Sequence, residues 1–535
     1  MVLDNDASLL LDSACQITQA TSDKEIFKAT SKDNIFIKAN GAVLYGEGTW
    51  SGEWTGNTGH YDIAVNLINC TRSVISHPHI KNCGHSGIRI EGGSKISILS
   101  PVIEGTSPSS ATTNEGNFQH GIYLAHHETH GLIESVSILP PDISLTGQGI
   151  LLEVDSNYST LTNVGEELVS IDSPLIYDIT GQHGIYAQST FDCSGAVIQG
   201  TTLAGIKIQS GSSNYAHRNF NVSGFSISDT DSQAIEVVTT GTGSLNNLSV
   251  SGVATNCNRG ISISKNVAGA YINLVCYNSA QYGAVFSGDN LTDIELHILS
   301  RKSGRDGVLV SSTNSSGLRI FPKIQEANDS EGASYSGVRI ESATATTDIF
   351  NMSITDTNGR MYSGVYNEGG SSVGIHGPSD IDNALTFGMR TAVAWRNLPT
   401  ELTITNTPTK FHDLKLINSL TTVVVDLSTS SSSNATLWAR TLDDESAILV
   451  QATLTGKKAG SAERRGVVTS CLAYRDGGAD CVVEGTDDDV DITSSSFNGA
   501  FSWQANGTSL RFYVNSGSSD TYDWVARITV TPVSD

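Results

Sequence analysis

A short pattern recurs along most of the chain: a glycine, an apolar residue, then apolar and polar positions in alternation. It reads GIRIE at Gly87, GIYLA at Gly121, GILLE at Gly149, GIYAQ at Gly184, GIKIQ at Gly205 and AIEVV at Ala234. It continues as GISIS at Gly260, GAVFS at Gly283, GVLVS at Gly307, GVRIE at Gly337 and GVYNE at Gly364. The spacings run from 21 to 35 residues. Alternation with a period of two predicts short strands with one face turned inward. Between these segments lie further strands of the same kind, such as AYINLVCY, LTDIELHIL and LRIFPKI. About three short strands per turn, with turns of unequal length, is the layout of a right-handed parallel β-helix. Asn256, Asn278, Asn328 and Asn358 precede the glycine strand by similar distances, which predicts an asparagine ladder at one corner.

The expected fold is therefore all-β. The solenoid is expected over residues 35–397, with 1–34 as a cap over its first coil. From 398 the coil period stops, and ELTITN, TTVVVDLS, SAILVQATLTG, GVVTSCLAY, LRFYVNSG and YDWVARITVTP alternate without it. This predicts a C-terminal antiparallel β-sandwich over 398–535. Trp438, Trp503 and Trp524 read there as exposed aromatics suited to trimerisation or glycan binding.

Composition narrows the function. The formal net charge is -24, which argues against nucleic acid, since that binding needs cations to neutralise phosphates. No apolar run is long enough to span a membrane, and the N-terminus lacks the basic and apolar regions of a signal peptide. Gly at 52 against Pro at 11 suits many strands joined by tight turns. The 8 cysteines form no CxxC, so no zinc or redox motif is indicated, and no metal or other cofactor is expected. Cys257 and Cys276 read as core thiols, while Cys471 and Cys481 flank a hairpin signal where a cross-strand disulfide is an option.

A β-helix of this length, opened by GEGTWSGEWTG and closed by a sandwich ending WVARITVTP, resembles the phage tailspike depolymerases, and looks most like those of phages that infect encapsulated bacteria of the Acinetobacter type. The resemblance covers nearly the whole chain and is architectural. It implies a homotrimer on the virion tail, cleavage of a bacterial capsule or O-antigen polysaccharide at the cell surface, and no cofactor. It also implies an N-terminal virion-anchoring segment that this sequence does not show. Exposed apolar positions Leu151, Val285 and Leu309 would be covered in such a trimer.

Function must still be argued from a site. Outward residues of successive coils form columns. One column runs Arg89, Tyr123, Leu151, Tyr186, Lys207, Glu236, and beside it run Glu91, Glu153, Gln188 and Gln209. HGIY occurs twice, setting His120 with Tyr123 and His183 with Tyr186. Aromatic, amide and charged groups in a strip suit a sugar chain, whose apolar faces stack on rings and whose hydroxyls pair with polar groups. The alternative is an ordinary solvated face.

A second constellation is predicted where Asp293, Glu295 and His297 share an outward face, with Tyr271 and Asn273 one coil before and Arg319, Phe321 and Lys323 one coil after. Asp293 and Glu295 would lie about 7 Å apart along an extended strand, and glycoside hydrolysis needs such a pair. Glu295 is the expected general acid, Asp293 its partner or base, and the other residues the substrate contacts. The competing reading is an ion network between subunits. A third group gathers Asp231 and Glu236, with Asp229, Arg259, Tyr282 and Asp306 nearby. Three functions remain open: endo-acting hydrolysis by paired carboxylates; β-elimination using Tyr186, Lys207, His183 or Glu153; and a receptor-binding fibre that does not cut.

Overall fold

The computed structural model describes residues 1–19, 25–46, 62–105, 120–127, 129–154, 169–210, 216–240, 243–327, 335–341, 345–355, 363–367, 372–376, 380–381, 387–389, 394–396, 401–403, 415–417, 422–429, 435–442, 446–460, 463–475, 480–493, 499–515 and 521–533. It contains strands and no helices among them. The chain divides into two compact units, Met1–Ile294 and Glu295–Asp535.

The first unit is a parallel β-helix. Strand Ser86–Leu99 pairs in parallel with His120–His126, which pairs with Gln148–Val154, which pairs with Ile185–Ala187. The pattern continues through Ile206–Ser210, Gln233–Thr239, Arg259–Ser264 and Tyr282–Ser287. Alternation explains the interior. Ile88, Ile122, Ile150, Ile185, Ile206 and Ile235 stack in register and are wholly buried. The glycine before each of these isoleucines, Ile235 with its Ala234 excepted, answers to crowding. A Cβ on Gly121 would lie 2.8 Å from the carbonyl oxygen of Gly149 and 2.6 Å from a methyl of Ile143. No side chain fits there without moving backbone.

Corners are made by residues in the left-handed region. Asn219, Asn247, Gly269 and Asp293 all have φ between 52° and 67°. Asn256 and Asn278 occupy another corner with φ of 52° and 53°, and Nδ2 of Asn278 donates to Oδ1 of Asn256 at 3.2 Å. The expected asparagine ladder is therefore present at these two positions; Asn328 and Asn358 lie outside the described residues. Asn and Asp tolerate this conformation because their short polar side chains bond locally.

Within residues 1–34, expected as a cap, the described strands belong to the β-helix. Ser8–Leu10, Gln16–Thr18 and Phe27–Thr30 pair in parallel with Phe36–Lys38, Val43–Tyr45 and Ile63–Thr71. They are a coil in their own right, unannounced because they lack the opening glycine. The trimer argument also loses its stated residues. Leu151, Val285 and Leu309 are buried within one chain, Leu151 because Tyr123 and Tyr186 pack against it.

In the second unit, parallel coils run on through Ser363–Asn367 and Ser372–His376, and Ala394–Arg396 pairs in parallel with Lys415–Ile417. The coil pattern thus extends beyond 397. The sandwich follows, with Thr422–Thr429, Tyr522–Val533, Ser446–Lys458, Arg464–Arg475 and Val482–Thr493 in one antiparallel sheet. Ala435–Thr441, Ser509–Asn515 and Ala500–Asn506 form the other. Trp503 donates from Nε1 to Oγ1 of Thr469 at 3.2 Å, tying one sheet to the other. Trp438, Trp503 and Trp524 are buried and not exposed. They occupy inward positions of the alternation, where an aromatic ring contributes most apolar area. Cys471 lies opposite Thr486 in the ladder, and both Cys471 and Cys481 are free buried thiols, so no disulfide joins them.

Candidate functional site

Strand register extends the first outward column further than the glycine motif does. Lys28, Asn66, Arg89, Tyr123, Leu151, Tyr186, Lys207 and Glu236 stand side by side on successive coils. Ile68, Glu91, Ala125 and Glu153 form the neighbouring column. Coil spacing of about 4.8 Å makes each column a ruler.

At the centre lies Tyr123, which is buried. Its hydroxyl donates to Oε2 of Glu153 at 2.5 Å. The guanidinium of Arg89 sits 5.3 Å from its ring centre and is paired to the buried Glu91. The other oxygen of Glu91 meets Nδ1 of His130 at 3.2 Å. Glu91 and Glu153 are two coils apart, so their backbones are separated by about 10 Å. Ala125 stands between them in their own column, and Tyr123 in the neighbouring one. Burial, then the negative charges of Glu153 and Glu91, push the Tyr123 hydroxyl well above its ordinary range, so it stays a donor. Burial and the positive charge of Arg89 push His120 down to about 3. His85 is also pushed well down, first by burial. Both imidazoles pack against Tyr123, with ring centres 5.3 and 6.1 Å away. They are neutral at physiological pH.

Towards the first coil the strip opens into a cleft of 260 Å³ lined by residues including Glu25, Lys28, Asn66, Glu91 and His130. Lys28 and Asn66 both donate to Glu25 at 2.9 Å. Burial raises the Glu25 carboxyl, but these bonds outweigh it and hold the group below its usual value. Gly92, which follows Glu91, has φ of +59° and leaves room for the backbone of His130, whose carbonyl oxygen would be 2.1 Å from any Cβ there. That close approach brings His130 onto Glu91.

In the opposite direction along the column, Gln188 donates from Nε2 to the Tyr186 hydroxyl at 2.9 Å, and its own oxygen accepts the Val154 amide at 3.1 Å. Lys207 lies 5.2 Å from the Tyr186 ring centre and 3.7 Å from Glu236. His183 accepts the Ala204 amide at Nδ1 and is pushed down to about 3, chiefly by burial. The structure therefore brings Glu153, Tyr186, His183, Lys207 and Glu236 onto one strip, as the columns predicted. Arg89 and Glu91 belong to the same strip as an Arg-x-Glu pair in GIRIE. Glu25, Lys28, Asn66 and His130 escaped the sequence reading, because the coil carrying the first two was taken for a cap.

The other two groups fare differently. Asp293 is exposed, with φ of 52°. The straight strand assumed through it is instead a corner, so the 7 Å spacing has no basis there. Tyr271 and Asn273 share an exposed face of the strand Val267–Tyr277. In the second unit, Glu295 is half-buried and bonded to Nε2 of His297 at 2.8 Å, with Arg319 at 3.4 Å. His297 stacks on Phe321 at 4.2 Å, and Phe321 on Phe350 at 5.0 Å, so these rings cover one another's faces. Lys323 stands opposite Leu299 rather than a carboxylate. Asp231 is exposed, and Asp229 is a corner residue whose carboxyl is lowered, first by the Asn256 hydrogen bond. Asp306 is buried, accepts the Ser336 amide at 2.6 Å, and is raised to about 7 by burial.

No family model matches the sequence, and no curated protein matches it. Among solved structures, the chain is similar to the tailspike protein of E. coli bacteriophage HK620 in complex with pentasaccharide, at 10% identity over 99% of this chain and 82% of that one, with a TM-score of 0.42. It is similar to tailspike protein gp49 of Acinetobacter baumannii bacteriophage Fri1, a capsular polysaccharide depolymerase, at 11% identity over 88% and 82%, with a TM-score of 0.21. It is also similar to the A-module of the Azotobacter vinelandii mannuronan C-5 epimerase AlgE4, at 11% identity over 69% and 89%, with a TM-score of 0.34.

Proposed function

We propose that the chain is a phage tailspike that binds and cuts a bacterial surface polysaccharide by endo-acting hydrolysis, and that the cutting takes place on the first unit's strip. The observation that carries this reading is the hydrogen bond from the buried Tyr123 hydroxyl to Glu153, beside the buried Arg89–Glu91 pair one coil earlier. Hydrolysis with inversion uses two carboxyl groups roughly 6.5–9.5 Å apart, one protonating the leaving oxygen and the other activating water. Two coils of separation put the two backbones about 10 Å apart, from which side-chain rotamers can bring the carboxyl groups into that range. Glu91, salt-bridged to Arg89, is assigned to the water. Glu153, which accepts the Tyr123 hydroxyl, is assigned to the leaving oxygen, and Tyr123 orients it. Tyr186 and Gln188 supply the ring and the amide that bind the sugars on one side of the cut.

β-Elimination is the rival, and it needs a base poised near neutral pH. Tyr123 holds its proton too tightly and His120 and His183 bind one too weakly to be that base, which leaves Tyr186, Lys207 and Glu153 to serve the rival. In this reading the protein acts at the cell surface as a homotrimer on the virion tail. Leu175 and Val197, adjacent in the ladder and 41% and 47% exposed, are candidates for the subunit contact. The test is digestion of purified capsular and O-antigen polysaccharides. New reducing ends without absorbance near 232 nm support hydrolysis, absorbance there means elimination, and binding without products means a fibre that only holds its receptor.

A further inference from the structure

The charges along the strip carry information about what lies on it. The sequence has no lysine or arginine between Lys95 and Lys207. Of the acids in that stretch, Glu153 stands on the strip. The stretch includes the coils that bear Tyr123, Leu151 and Tyr186, the middle of the strip. The lysines and arginine of the column stand outside that middle, and each already faces a carboxylate: Lys28 meets Glu25 at 2.9 Å, Arg89 meets Glu91, and Lys207 meets Glu236 at 3.7 Å. Burial of His85, His120 and His183 keeps them uncharged. Glu153 adds a carboxylate bonded to a neutral hydroxyl.

A polyanionic glycan would have to break those ion pairs or lie unpaired beside carboxylates. It would also approach a chain of net charge -24. Like charges brought together in a partly desolvated site cost several kcal/mol and set specificity against the wrong partner. Resting on the functional reading above, we infer that the polysaccharide accepted by this strip has an uncharged repeating unit, free of uronate, phosphate and acidic ketal groups in the residues that cross Tyr123 and Tyr186. Its contacts are ring stacking and hydrogen bonds to hydroxyl and acetamido groups, which Tyr186, Gln188 and Glu153 can make.

The full chain is tested against purified bacterial polysaccharides sorted by composition into neutral repeats and repeats bearing uronate or phosphate. Both cleavage and binding are measured. The expected result is cleavage confined to neutral repeats, with kcat/KM changing less than about two-fold between about 20 and 500 mM NaCl, because no charge on the substrate is there to screen. Binding of neutral repeats without cleavage would overturn the hydrolytic reading and still support an uncharged ligand. Cleavage of acidic repeats would overturn this inference and leave the functional reading standing, and binding of acidic repeats without cleavage would overturn both. Failure to bind either class would overturn both.

Discussion

Two outward faces of this protein look alike in the sequence and differ in the structure. One is the strip through Arg89, Glu91, Tyr123 and Glu153; the other is the face bearing Glu295, His297, Arg319 and Phe321. Each offers carboxylates, a cation and rings at alternating positions. On the first, Arg89, Glu91 and Tyr123 are buried, Arg89 pairs with Glu91, and the Tyr123 hydroxyl donates to Glu153 on the next coil. On the second, Glu295 is satisfied by His297 and a half-exposed Arg319, and the rings stack face to face. An exposed ion pair of that kind contributes little, usually under about 1 kcal/mol, and a ring whose faces are taken has only its edge left for a sugar. Residue type alone does not make a site; burial and the direction in which groups spend their bonds do.

The comparison is broken most directly at the carboxylates. Glu153→Gln and Glu91→Gln should each lower kcat by about 10² or more, with binding of polysaccharide kept within a few-fold. Product assays alongside equilibrium binding check this. If neither variant loses activity while Glu295→Gln does, the two faces have been assigned the wrong way round.

Proton linkage separates the two units next. His120 and His183 have folded values of about 3, below an unfolded value near 6.5, so the stability they favour is present above 6.5 and is lost as the pH falls towards 3. Each is worth on the order of 4 kcal/mol over that window. Asp306 runs the other way. Its folded value of about 7 lies above the unfolded one, so the stability it favours is full below about pH 4 and is lost as the pH rises through 7. Hydrogen exchange should therefore show His120–His126 opening in acid and Val308–Val310 loosening towards pH 8. Asp306→Asn, which can still accept the Ser336 amide, should abolish the second trend. Exchange in Val308–Val310 that ignores pH in both proteins would contradict it.

Tyr123→Phe removes one donor and keeps the ring. We expect kcat to fall by about ten-fold, the worth of a hydrogen bond to a charged group, with little change in melting temperature. The smallest effect expected is that of Glu295→Gln, which should alter kcat by less than about three-fold; a loss near that of Glu153→Gln would restore the second face as a contender.

Much of this was legible beforehand. Period-two alternation with an opening glycine gave the coils and their columns, and hence the shared face of Tyr123, Glu153, Tyr186 and Lys207. What alternation cannot report is a change of direction: Asp293 continues the pattern of polar and apolar letters, yet its φ of 52° turns the chain. Nor does it report what covers a face. Leu151 and Val285 point away from the helix interior and are still buried, because Tyr123 and Tyr186 are long enough to close over Leu151. The tryptophans of the sandwich went astray for a related reason. Trp503 and Trp524 read as exposed from the sequence, and only the pairing of the two sheets decides which side of their strands is inside.

The glycine column has a consequence in time. Where Gly121 leaves its gap, the carbonyl of Gly149 fits, and where Gly149 leaves its own, that of Gly184 fits. Each coil is thus seated by the one beside it, and the partner it must find lies only 21 to 35 residues away. A ribosome adding about 5–20 residues per second delivers one such turn every few seconds. Winding can keep pace with synthesis, each finished turn serving as the template for the one still emerging. A bulky residue at one of these glycines should then act like a dropped stitch: the turns already laid down hold, and the fabric stops growing at that row.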